Sequence, residues 1–122
     1  MFTVKNFAAW GAGQNDMKCF EVRSFDILAG EDDIIFRFAR QDGSIGQMAL
    51  VEIGCSRLIV ENETGKTITN IEFQKSPAFK NKGEDFYHET TCARLPSGFE
   101  WSVTKPYLCA EEKNQPIEGQ TP

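Results

Sequence analysis

A chain of 122 residues, 40% of them hydrophobic, is sized for one domain that buries roughly two-thirds of the surface its unfolded form exposes, so no staples are required. Its 18 acidic side chains outnumber 13 basic ones, with both signs mixed along the chain and a formal charge of -5. That balance leaves no continuous basic face for phosphates and argues against nucleic acid as a partner.

The opening MFTVKNFAAW lacks the basic-then-apolar order of a secretory leader. No stretch approaches the roughly 20 apolar residues of a membrane-spanning helix. The expectation is a cytoplasmic protein with no membrane partner. Cys19, Cys55, Cys92 and Cys109 are widely spaced, without a CxxC pair, so reduced thiols are expected and a structural zinc site is not. The Asn62-Glu63-Thr64 sequon reads as a turn.

Taken in order, AAWGAGQND is rich in turn formers and its GAG, residues 11–13, opens no phosphate loop. In MKCFEVRSFDIL, Phe20 and Val22 share one parity while Phe25 and Ile27 share the other, which predicts a strand bulged near Arg23-Ser24, with a short helix as the competing reading. DIIFRFARQ alternates Ile34, Phe36 and Phe38 against Ile35, Arg37 and Ala39, as a half-buried strand does. Asp42-Gly43 supplies a tight hairpin turn. SIGQMALVEIG carries apolar residues at both parities and is expected to be a central strand covered on both faces.

SRLIVENETGKTITNIEF predicts a second hairpin around Asn62–Gly65. FYHETTCARLPSGFEWSVTKP predicts a third, with Phe99, Trp101 and Val103 facing inward. A two-residue tip at Pro96-Ser97 sets Cys92 opposite Trp101 and Cys109 opposite Glu84. The tail, residues 110–122, has one large apolar residue and is expected to be flexible, leaving residues 1–109 as a single domain. About seven short strands without a long amphipathic helix predict an all-β fold, a small antiparallel β-sandwich or a partly open barrel. No repeat of solenoid or propeller length is present.

No catalytic signature stands out. GxSxG, HExxH, P-loop and Rossmann patterns are missing. His88 and Cys92 share a strand face, but four residues of strand separate them by about 13 Å, too far for an activated thiol. Cys92 therefore reads as a small buried hydrophobe. The acidic turns Glu31-Asp32-Asp33 and Glu84-Asp85 match no calcium loop and read as solvated charges. Neither metal nor cofactor is expected.

The stretch FQKSPAFKNKGEDFYHE is different. About a dozen residues separate the flanking strands, more than an ordinary hairpin needs, and Phe79 sits among Lys75, Lys80 and Lys82. An aromatic anchor inside a basic rim suits an acidic protein surface. The leading expectation is a non-enzymatic binding module of inhibitor, immunity or adaptor type that acts by steric occlusion of another protein. The alternative is a lectin-like carbohydrate site at Trp10 with Gln14, Asn15 and Asp16, where stacking and amide hydrogen bonds would hold a sugar. A hydrolase or thiol enzyme comes last, and a homodimer through a strand edge stays open.

Overall fold

The computed structural model describes residues 1–8 and 16–108. Trp10, Gln14, Asn15, Cys109 and the tail 110–122 lie outside the described residues. So does the register expected for Cys109. Nine strands are described: β1 (Phe2–Ala8), β2 (Asp16–Val22), β3 (Ser24–Ala29), β4 (Ile34–Ala39), β5 (Ile45–Ala49), β6 (Cys55–Glu61), β7 (Thr67–Lys75), β8 (Phe86–Arg94) and β9 (Glu100–Leu108). They form a six-stranded sheet in the order β2-β1-β6-β7-β8-β9 and a three-stranded sheet in the order β3-β4-β5. The fold is all-β and antiparallel, consistent with a small β-sandwich, and neither sheet closes into a barrel. No described helix is long and apolar enough to cross a membrane.

The chain divides into two compact units. One comprises Met1–Gln74 with Cys92–Val103, and the other Lys75–Thr91 with the described residues from Thr104 onward. The first unit holds the apolar core. Strand alternation turns Ile34, Phe36 and Phe38 of β4 inward, where they join Val4, Val22, Leu50, Leu58, Val60 and Ile71. Each of the fully buried Phe36, Leu58 and Ile71 contributes about 1.5–3 kcal/mol through burial. Phe25 stacks on Phe36 at 5.5 Å between ring centroids, and Phe2 meets Phe25 edge-on at 5.3 Å. Trp101 is buried among them and donates its indole N–H to the Gly30 carbonyl at 2.6 Å.

Three hairpins use one device. Arg40 donates to Ser44 O, Asn62 to Lys66 O and Leu95 to Phe99 O, while Gly43, Gly65 and Gly98 donate back to the first residue of each turn. Each of these glycines has a φ near +90°, so each loop is a type I turn completed by a left-handed glycine. The β8–β9 connection is thus a three-residue loop, not a two-residue tip. Its hydrogen bond from Leu95 to Phe99 is in step with the 2.8 Å contact between the Thr90 and Thr104 hydroxyls, which sets Cys92 across from Ser102, not Trp101.

Other expectations are corrected. β1 pairs with both β2 and β6, yet its inward Asn6 and outward Phe7 hide the alternation that would mark a strand. At Arg23 the chain does not bulge within one strand. It leaves the larger sheet and enters the smaller, and the parity flip between Val22 and Phe25 is the signature of that switch. β5 is an edge strand, not a central one, and it stops at Ala49. The Asp33 carboxylate accepts the N–H groups of Val51 (2.7 Å) and Glu52 (3.0 Å) as well as that of Ile34 (2.7 Å), drawing residues 50–54 into a turn. Asp33 is thus a latch and not a solvated charge. Phe99, expected inward, is 56% exposed beside the Gly98 turn.

Candidate functional site

The second unit contains the loop that joins β7 to β8. β7 ends at Lys75, although Ser76 N–H still donates to Thr90 O at 2.9 Å, and regular pairing pauses around Pro77, whose ring carries no N–H. It resumes as an isolated bridge between Phe79 and His88, with Phe79 N–H donating to His88 O at 3.0 Å and His88 N–H donating to Phe79 O at 2.7 Å. The tip turns at Asn81–Glu84, where Gly83 adopts a φ of 90° and Glu84 N–H donates to Asn81 O at 3.1 Å. What the sequence presents as an open connection is therefore a small closed hairpin.

Side chains stiffen it further. The Phe79 ring stacks on the His88 imidazole with centroids 5.1 Å apart, and Phe86 meets the same imidazole edge-on at 5.0 Å. His88 Nε2 lies 2.8 Å from Glu84 Oε1, the same oxygen that accepts the Asn81 N–H at 3.3 Å. The hydrogen bond from His88 holds the Glu84 carboxyl below the usual carboxylate range. Phe79 remains 47% exposed on this base. It is neither buried as a plug nor free to wander.

Of the basic rim, Lys80 and Lys82 are exposed at the tip. Lys75, also exposed, lies 3.6 Å from Glu89 and shares its charge with that carboxylate. The structure thus brings Phe79 together with His88 and Glu84, two partners that sequence reasoning missed. Glu84 and His88 are four residues apart, a spacing a regular strand would hold out of reach, and they meet because Glu84 lies in the Asn81–Glu84 turn, before β8 begins at Phe86. His88 does not serve Cys92 as a base, because its Nε2 is engaged by a carboxylate and a carboxamide, not by a thiol or hydroxyl.

Cys92 is half-buried, not fully buried as expected, because the one-residue difference in register puts it on the sheet face opposite Trp101. There it lines an open groove of about 650 Å³ with Asn70, Glu72, Gln74, Arg94 and Ser102. Arg94 is paired with Glu100 and Arg57 with Glu72, so the groove offers no unmatched charge to select a ligand. Burial pushes the Cys55 thiol up to about 11, which makes it inert at neutral pH. Among the described residues, no three His, Cys, Asp or Glu side chains come together as a metal site. Asp16 opens β2, while the remainder of the lectin-like set lies outside the described residues.

Comparison with known proteins returned no matching family model, no matching curated protein and no matching solved structure.

Proposed function

We propose that this chain is a non-enzymatic binding module that occupies a surface of another protein, in the manner of an inhibitor, immunity protein or adaptor. The observation that carries this reading is the state of Phe79, a large apolar ring held by two backbone hydrogen bonds and a stacked imidazole yet left 47% exposed. An exposed aromatic side chain ordinarily loses rotamer freedom on binding. One already fixed in place loses less, and preorganisation of this kind raises affinity without adding contacts.

Lys80 and Lys82 flank the ring and steer it toward carboxylates, so the partner surface is an apolar pocket with an acidic border. The acidic remainder of the chain, at a net charge of -5, disfavours other acidic surfaces and sharpens the choice of docking face. A reducing, cytoplasmic setting belongs to the same proposal and is supported by the unpaired thiols of Cys19, Cys55 and Cys92. The test is affinity capture from lysate of the source cell with the wild type and a Phe79→Ala, Lys80→Glu variant of matched melting temperature. A stoichiometric protein retained by the first and lost by the second supports the loop as the contact. Identical captures by both would refute it.

A further inference from the structure

The sheet edges differ in how they are protected. β2 carries Asp16, Lys18 and Glu21, β3 carries Asp26, and β9 carries Glu100, Lys105 and Pro106. Charges and proline on an edge are the usual guards against strand addition. β5, with the sequence IGQMA, carries neither.

Among the described residues its backbone is also available. At one end of the β4–β5 pairing Leu50 N–H donates to Ile34 O at 3.0 Å, and at the other Arg40 N–H donates to Ser44 O at 2.8 Å. Antiparallel alternation then commits Gly46 and Met48 to β4 and turns the N–H and C=O groups of Ile45, Gln47 and Ala49 to the open edge. Only the Ala49 carbonyl has another described partner, the Ile53 N–H at 3.0 Å, and a carbonyl can accept twice. Ile45 is 59% exposed on the outward face of the same strand, and Gln47 is exposed beside it.

We propose that β5 is a self-association edge, on which the β5 strand of a second copy of this chain pairs antiparallel about a two-fold axis through Gln47. The occupant follows from the charge pattern. Strand addition about that axis sets Gln47 opposite the second copy's Gln47 and Ile45 opposite the second copy's Ala49, with no like charges facing one another. The register gives up to about six inter-chain hydrogen bonds, and it covers Ile45 twice by symmetry. An external strand bearing fixed charge would find no complement on this edge. Five residues make a short ladder, so the dimer is weak and forms as concentration rises. This inference is independent of the reading of the Phe79 loop.

The experiment is sedimentation equilibrium of the full chain over an approximately hundredfold concentration range, with wild type, Gln47→Lys and Gln47→Glu. The wild type approaches the mass of a dimer. Each charged variant, with a wild-type melting temperature, dimerises about fivefold more weakly because like charges meet on the axis, and an equimolar mixture of the two recovers association. As a second probe, Gln47→Pro removes an N–H that points away from β4 and abolishes dimerisation. A wild type that stays monomeric throughout overturns the proposal. So does undiminished association of either charged variant, or a mixture that fails to recover.

Discussion

Replacing Asp33 tests how this fold closes the turn after β5. Its carboxylate accepts three backbone N–H groups, those of Ile34, Val51 and Glu52, the last two from a segment 18 and 19 residues away. A hydrogen bond to a charged acceptor is worth about 1.5–3 kcal/mol when its loss leaves the donor bare. Glu52 is exposed, so water replaces its partner, whereas the bonds to Ile34 and Val51 are partly buried. Asp33→Ala should therefore destabilise by about 2–4 kcal/mol, and Asp33→Asn, which keeps one carbonyl oxygen aimed at those two donors, by about 1 kcal/mol. At a urea slope of about 2 kcal/mol per molar, the alanine variant's midpoint falls by roughly 1–2 M. Urea titration measures both variants, and amide exchange at Val51 and Glu52 locates the loss. An alanine variant within about 0.5 kcal/mol of wild type, or an asparagine variant equally damaging, would refute the latch.

Three further outcomes are expected. Cys55, buried and with its thiol raised to about 11, carries about a hundredfold less thiolate than an ordinary cysteine and should resist alkylation until the chain unfolds, while exposed Cys19 reacts in the native state. Comparable native rates at both sites would contradict this. Gly46→Ala places a Cβ 2.6 Å from the Phe38 ring and 2.7 Å from the Arg40 guanidinium, so thermal denaturation should report a loss of about 1–3 kcal/mol; an unchanged melting temperature would show that the ring yields freely. The Glu84 carboxyl is depressed in the folded loop by its bond to His88, so its contribution is present above the unfolded pKa and is lost as pH falls through the lower folded value. Protection of the Phe79 and His88 amides, corrected for intrinsic exchange, should weaken on acidification through that window and become insensitive to it in Glu84→Gln. Flat protection in the wild type would count against the Glu84–His88 bond as what holds the loop closed.

Period-two alternation made most of the sheet residues legible in sequence, because a strand with one buried face has to repeat every second residue. Ile34, Phe36 and Phe38 are the plainest case, and all three are buried where the pattern puts them. The pattern failed where a polar residue faces inward, as Asn6 does in β1, and where an apolar residue has no sheet above it, as with Ile45 at the edge. Strand alternation also carries no information about which strands neighbour one another. The flip near Arg23 was visible, but a bulge and a change of sheet leave the same trace in sequence. At the loop, length and composition singled out Phe79 and its lysines. The stacking of Phe79 on His88 depends on a turn at Gly83 that brings the two arms together, and the Glu84–His88 bond depends on Glu84 sitting within that turn, facts that no local pattern encodes.

The most direct measurement of the proposed contact places a photo-crosslinking phenylalanine analogue at position 79 and irradiates the full chain in the source cell. Phe99 is the control, since it is a phenylalanine of similar exposure on a different hairpin. A discrete covalent adduct with one protein at position 79, not formed from position 99, is the predicted result. No adduct at 79, or the same set of adducts at both positions, would contradict the assignment of the loop as the binding surface.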